Sequence, residues 1–298
     1  MKHRTIIFGI ILFSVFLILC VFYKTKSVDN NKTIPKKVWT FWDKEELPDL
    51  VEKCIQTWKT YNPDYSIIVL NKSNLHEYLP DVDFTKIKHV IDSPARYSDM
   101  VRLYILSKYG GIWSDSSIIC LKPYDSWIPH LQKENNCDFI GFYIDSFTLP
   151  EYKKHSPIIE SWFFGCSENN ILIKDWLNEF LKISNYDTIL QYIDSLKEDG
   201  VNIQNINIPE YLTIHVSLQK VLQKGPNKPY NFGLLKAEDT AFKFLNQNNW
   251  ETSKAIQDLL YCKNKKIEHK CNFYNSPIIK LRGDERKKLE KKNYESIF

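Results

Sequence analysis

The period of the apolar positions changes several times along the chain, and each change marks an element. The first run, TIIFGIILFSVFLILCVFY from Thr5 to Tyr23, carries no charge. As a helix, about 19 residues at about 1.5 Å rise span about 28 Å, close to the hydrocarbon thickness of a bilayer. Lys2 and Arg4 precede it, Lys24 and Lys26 follow it, and its bulky end offers no small-x-small cleavage site, which predicts an uncleaved anchor rather than a signal peptide. The predicted order is a short tail (1–4), a transmembrane signal anchor (5–23), a polar stem (24–33) and one large domain (34–298). Basic residues on both flanks orient the anchor weakly. The short leading tail favours a single-pass type II arrangement with the domain on the non-cytosolic side, in a Golgi or ER lumen or its equivalent.

Past the stem, strand and helix patterns alternate. KVWTFW (37–42) and YSIIVLN (65–71) read as strands, the second as a buried one. Between them PDLVEKCIQTWKTYN reads as a helix with Pro48 in its first turn and a stop at Asn62 and Pro63. SNLHEYLP reads as a short helix with Ser73 as its N-cap. SPARYSDMVRLYILSKYGG is bounded by Pro94 and by Gly110 and Gly111, with apolar residues near helical spacing. IWSDSSIICL, DFIGFYI and SWFFGC read as further strands; ILIKDWLNEFLK, DTILQYIDSLK and the region 210–223 read as helices. This alternation predicts an α/β domain with a mixed, mostly parallel sheet.

Composition narrows the class. Hydrophobic residues make up 43% and charged residues 26%, which is globular rather than disordered. A net charge of +4 is too weak and too dispersed to point to nucleic acid. The run RGDERKKLEKK alternates in sign, as a solvated helix end does. Seven Cys leave six beyond the anchor, enough for three disulfides in an oxidising compartment, with Cys262 and Cys271 the best pair. Asn31 and Asn71 each begin a glycosylation sequon.

The segment richest in chemistry is SDMVRLYILSKYGGIWSDSS, from Ser98 to Ser117. Asp99 and Arg102 are three apart on a predicted helix and share a face. A Gly-Gly turn feeds a strand that ends at Asp115, among Ser114, Ser116 and Ser117. Ligands of open α/β sheets gather at the carboxyl ends of strands. A carboxylate there suits a hard divalent cation that also takes phosphate oxygens. The plainer readings are a helical ion pair for Asp99 and Arg102 and a turn residue for Asp115.

IPKKVWTFW, YSIIVLNKSNL and above all ARYSDMVRLYILSKYGGIWSDSSIICLKP resemble glycosyltransferase family 32 and its relatives, among them the capsular polysaccharide synthesis proteins, the fungal initiating α-1,6-mannosyltransferases and, more remotely, the large clostridial glucosylating toxins. The likeness continues through SWFFGCSENNILIKDWLNEF, so it covers most of the chain after the anchor. It implies a GT-A-like fold and an enzyme of polysaccharide biosynthesis that moves a sugar, with retention, from a nucleotide-sugar donor to a glycan or other acceptor, the predicted anchor holding it to the membrane. Trp42 would stack on the base, Asp99 and Arg102 would hold the donor sugar, and Asp115 would be the first acid of an Asp-x-Asp motif for Mn²⁺ or Mg²⁺. Ser117 stands where that motif has its second acid; a hydroxyl is the weaker ligand, so metal affinity is expected to fall. The capsular branch is similar in carrying a single Asp followed by a small residue.

Several other residues are weighed. Asp145 is a candidate substitute carboxylate, against a surface-loop reading. Glu160, Ser161 and Trp162 are candidates for the acceptor side, with Trp162 read first as core. His215 reads as a satisfied helical histidine before it reads as a base. Lys280 and Arg282 reach the diphosphate only if the tail folds back. The competing functions are a glycosidase, for which no recognisable carboxylate pair stands out, and a transfer-deficient binding protein on the same fold, favoured by Asp115-Ser116-Ser117.

Overall fold

The computed structural model describes residues 32–91, 93–225, 230–262 and 269–298. The predicted anchor and most of the stem, together with Asn31, lie outside the described residues. No helix among the described residues is long and apolar enough to cross a membrane.

A six-stranded sheet runs in the order β2-β1-β3-β6-β5-β7. Its strands are β1 (Lys37–Phe41), β2 (Ser66–Leu70), β3 (Gly111–Ser114), β5 (Phe139–Tyr143), β6 (Ile159–Cys166) and β7 (Gly233–Lys236). Only β6 opposes its neighbours; the remaining contacts, β1 with β2 and β3 and β5 with β7, are parallel. The sheet is therefore mixed and mostly parallel, as the alternation of patterns predicts, and it fits a GT-A-like domain.

Side chains alternate across this sheet because the strand period is two. Val38, Ile112, Ile140 and Phe163 enter one core, while Trp39, Trp113, Phe139 and Phe164 enter the other. The helices Pro94–Tyr109, Ile171–Leu181, Ile189–Glu198 and Thr213–Lys224 cover the Trp113 face. The helices Asp49–Tyr61, Ile128–Asn135 and Thr252–Cys262 cover the opposite face. With both faces buried, the central strands read as near-continuous apolar runs. β2 departs from its expected buried pattern. As an edge strand it buries only Leu70 completely, and Ser66 is exposed.

Local chemistry accounts for the ends of the helix that matters most. Ser93 Oγ accepts from the Arg96 N–H, Pro94 occupies the first turn, and the chain stops at Gly110. Gly110 has φ +58° and ψ −158°, a region open in practice only to glycine. A Cβ there would stand 2.7 Å from the Glu168 backbone nitrogen, and one on Gly111 would stand 2.7 Å from the Lys37 carbonyl oxygen. The Gly-Gly pair thus reverses the chain from helix to strand while touching two neighbouring segments. Ser73 does not cap the next short helix, Leu75–Tyr78. The Asn71 carboxamide takes the N–H groups of Ser73 and Asn74 at 2.9 and 3.0 Å instead.

IWSDSSIICL is two strands, not one. β3 ends at Ser114, and the chain leaves the main sheet through Asp115, Ser116 and Ser117. It then forms β4 (Ile118–Cys120), which pairs antiparallel with β8 (Ile278–Lys280) in a small second sheet. Ile118 stands opposite Lys280 in that ladder, and the Leu281 N–H donates to the Ser117 carbonyl at 3.1 Å. The far end of the chain is thereby stitched beside Asp115.

The expected Cys262–Cys271 disulfide is formed. The other two disulfides that six cysteines would allow are not formed: Cys54, Cys120, Cys137 and Cys166 are free and buried.

Candidate active site

A cavity of about 940 Å³ opens where β1, β3 and β5 end and β6 begins. This is the carboxyl edge of the parallel strands, where α/β sheets gather ligands. Trp42, Asp99, Arg102, Asp115 and Ser117 all line it, so the residues singled out from the sequence meet in one hollow. They come from separate elements. Trp42 follows β1 and is pinned by its N–H to the Leu70 carbonyl at 2.9 Å. Asp99 and Arg102 project from the helix Pro94–Tyr109. Asp115 follows β3, and its N–H extends the ladder to the Trp162 carbonyl at 2.8 Å.

Arg102 ties these parts together. Its buried guanidinium lies 3.2 Å from Asp99 and 3.5 Å from Asp115, and it donates to the Ser161 carbonyl at 2.6 Å and to Ser98 Oγ at 3.2 Å. It also lies 5.0 Å from the centre of the Trp113 ring. The plain helical ion pair is present, but it is one edge of a larger buried network. The two carboxylates around it diverge. Burial pushes Asp99 above the ordinary carboxylate value, with Arg102 acting against it. Asp115 also meets a burial penalty, but the charges of Lys280 and Arg102, with hydrogen bonds from Lys280 and Trp113, bring it below the ordinary value.

That depression fixes a sign. Asp115 contributes stability fully above the unfolded carboxylate pKa of about 3.9 and loses it as pH falls through the lower folded value. Acid titration of the melting temperature is expected to show a wild-type protein that loses this contribution below about pH 4. An Asp115→Asn protein lacks that component, so the gap between the two should narrow with acid. A constant gap from neutral pH to pH 3 would contradict the assignment.

Lys280 is the central neighbour of Asp115. Its ammonium donates to Asp115 Oδ2 at 2.8 Å and to Ser117 Oγ at 3.1 Å. Ser117 Oγ in turn donates to the Leu281 carbonyl at 2.8 Å. Asp115 Oδ1 accepts from Trp113 Nε1 at 3.1 Å. The tail does fold back, as the reading of Lys280 required.

These donors do not fit a protein-held Mn²⁺ or Mg²⁺. Asp115 is the one carboxylate of the motif, and both its oxygens face N–H donors. Ser117 offers a hydroxyl already engaged on two sides, and a dication at Asp115 would adjoin the charges of Lys280 and Arg102. Among the described residues no cluster of three or more His, Cys, Asp or Glu side chains is placed to hold a metal. Asp145 does not replace the missing acid: it pairs with Lys153 at 2.6 Å and Lys236 at 3.4 Å, in keeping with its surface-loop reading.

The rest of the cavity adds groups that sequence reasoning missed or underweighted. Arg286 lines it, with its guanidinium 5.7 Å from the Trp42 ring centre and its buried Nε without a partner among the described residues. Arg282 also lines it but is held by Glu285 through two 2.9 Å contacts and lies over Trp250 at 5.4 Å. The RGDERKK run is therefore a cavity wall on one face, not only a solvated end. The helical spacing of Arg282 and Arg286 was available as a signal; their target was not. His215 lies in the first turn of its helix, with Nε2 3.9 Å from Glu160 Oε2 and Nδ1 unpartnered among the described residues, so it is not the satisfied helical histidine expected. Trp162 is both core and lining: it packs on Phe142 at 4.9 Å and borders the hollow.

The chain belongs to the capsular polysaccharide synthesis protein family, which matches residues 13–276. It is 30% identical over 127 residues to the initiation-specific alpha-1,6-mannosyltransferase of Candida albicans, covering 38% of this chain and 32% of that protein. It is 26% identical over 166 residues to the O-glycosyltransferase braB of Annulohypoxylon truncatum, covering 51% of this chain and 38% of that one. The chain thus spans about a third of the length of these curated relatives. Among solved structures it is similar to a glycosyltransferase involved in glycosylating the major capsid of PBCV-1, at 10% identity and a TM-score of 0.41, over 86% of this chain and 98% of that one. A superposition that loose decides nothing about the site.

Proposed function

We propose that this protein is a glycosyltransferase that moves a sugar from a nucleoside-diphosphate sugar to a hydroxyl of a glycan, polysaccharide or other acceptor. One observation carries the reading: a single cavity gathers an indole (Trp42), a buried carboxylate–guanidinium pair (Asp99 and Arg102) and a cationic wall (Lys280 and Arg286) at the carboxyl edge of the sheet. The family and the relatives named as mannosyltransferase and O-glycosyltransferase support it.

Each group has a task in the transfer. The bond from the anomeric carbon to the β-phosphate oxygen breaks, and its electron pair leaves on the diphosphate. The acceptor oxygen forms the new bond, and its proton ends on the departing phosphate or in solvent. Preorganised positive charge at the leaving group lowers this barrier most, because negative charge develops there in the transition state. Asp99, held by Arg102, binds donor-sugar hydroxyls, its carboxylate accepting from them. Trp42 stacks on the base. Glu160 and His215, which stand 3.9 Å apart in the same cavity lining, serve the acceptor. Retention of anomeric configuration rests on the resemblance, as does the Mn²⁺ or Mg²⁺ requirement, which the donor set at Asp115 disfavours.

The reading places the enzyme on a membrane through residues 5–23 with its domain outside the cytosol; the run's length and the Cys262–Cys271 disulfide support this. Resistance of the full chain to carbonate extraction is the expected outcome, and release into the soluble fraction would remove the anchor from the reading. The activity itself is tested with a panel of UDP- and GDP-sugars, following free nucleotide and sugar products by mass spectrometry. Release of one nucleoside diphosphate with transfer or slow hydrolysis is expected. Binding without turnover would favour the transfer-deficient reading, and neither binding nor turnover would overturn both.

A further inference from the structure

We propose that Lys280 and Arg286 together supply the positive charge that a divalent cation would bring to the donor diphosphate, so that transfer by this protein proceeds without a metal. The inference rests on the glycosyltransferase reading and adds how the leaving group is stabilised.

The argument begins with the strand ladder. β4 continues directly from the Asp115 turn, and β8 pairs with it so that Lys280 stands opposite Ile118. The Lys280 N–H is bonded to the Ala241 carbonyl at 3.1 Å and the next N–H, of Leu281, to Ser117. The main chain that carries the side chain is thus held on both sides. The ammonium is buried, and it bonds Asp115 and Ser117, the first and third positions of the motif, at 2.8 and 3.1 Å. An ammonium has three N–H donors and no acceptor. Two are used in these bonds, and Lys280 borders the cavity, where the third can meet a phosphate oxygen.

A lysine brings one charge where Mn²⁺ or Mg²⁺ brings two. Arg286 supplies the second. It sits on the helix Gly283–Leu289, which follows β8 after a short link, and borders the same cavity. It lies beside Trp42, where the base is placed, and its buried Nε lacks a partner among the described residues. A buried guanidinium nitrogen without an acceptor is costly unless a ligand completes it. A diphosphate between Trp42 and Asp115 would do so. Arg282 is the weaker candidate, because Glu285 takes its Nε and one terminal nitrogen and offsets its charge.

The same geometry explains the sequence. A second acid at position 117 would receive the Lys280 ammonium as a further ion-pair partner and leave little charge for phosphate. The serine accepts from Lys280 without neutralising it. The step balances as written above: the carbon–oxygen bond electrons go to the diphosphate, whose added charge faces Lys280 and Arg286.

The test uses the purified full chain in detergent, with the nucleotide-sugar that the panel identifies and with UDP and GDP as binding probes. Turnover in EDTA is expected to match turnover with added Mn²⁺ or Mg²⁺ within about twofold, and calorimetry should show UDP or GDP binding in EDTA without Mn²⁺ uptake. Lys280→Met and Arg286→Ala should each lower kcat by at least about 100-fold with or without metal. Lys280→Arg should recover part of the loss, and the double variant Lys280→Ala, Ser117→Asp should regain activity only with Mn²⁺. If the variants fail to fold, the wild-type comparison decides alone. Turnover that appears only with a divalent ion overturns this inference and leaves the transferase reading standing. Absence of turnover under every condition overturns the transferase reading instead.

Discussion

Asp115→Asn is expected to lower the rate of sugar transfer by about 100- to 1,000-fold, the scale of a lost preorganised charge contact at a transition state. The amide keeps the volume of the carboxylate and removes its charge. Lys280 then loses the one anion it bonds among the described residues, at 2.8 Å, and Arg102 loses the partner at 3.5 Å. The ammonium is then no longer held by Asp115 at the place where it would meet the diphosphate. The loss should fall mainly on kcat, since the charge matters most when the leaving group departs. Circular dichroism and a thermal melt separate this from unfolding. A rate within twofold of wild type, in a folded protein, would reject the role of Asp115.

Arg102→Leu is expected to cost stability as well as activity. Leucine matches much of the apolar stem but leaves Asp99 and Asp115 facing each other without the guanidinium between them, and it leaves the Ser161 carbonyl without its 2.6 Å donor. Breaking a buried charged network by removing one partner costs about 3–5 kcal/mol. Asp99, already above the ordinary carboxylate value through burial, should rise further once Arg102 no longer acts against it. Urea unfolding checks the first effect: a midpoint shift corresponding to less than about 1 kcal/mol would show that the network is not structurally coupled. Arg102→Lys should recover stability only partly, because a point charge does not reproduce the planar fork reaching Asp99, Ser98 and Ser161.

Much of the fold was legible because both faces of the sheet are buried, so strand and helix periods survive in the sequence. The helix from Pro94 to Tyr109 carries its own start and stop signals in Ser93, Pro94 and Gly110. The break between β3 and β4 was not legible. IWSDSSIICL is apolar on both sides of Asp115, and nothing local says that the second half pairs with residues about 160 positions later. For the same reason Arg286 and the closeness of Glu160 to His215 were hidden: each depends on a contact whose partner lies far along the chain. Trp42, Asp99, Arg102, Asp115 and Ser117 were found together because sheet topology brings the ends of β1 and β3 side by side, and a parallel sheet places such ends on one edge. The thinness of the metal site was half visible in Ser117. Its physical complement, the ammonium of Lys280, required the tail to be placed.

The central claim is that a nucleotide diphosphate lodges between Trp42, Lys280 and Arg286 beside Asp99 and Arg102. A crystal structure of the protein with bound UDP or GDP tests it most directly. The account predicts the base against the Trp42 indole and a phosphate oxygen within hydrogen-bonding distance of Lys280 Nζ and the Arg286 guanidinium. A nucleotide bound elsewhere, or one whose phosphates point away from both cations, would contradict it.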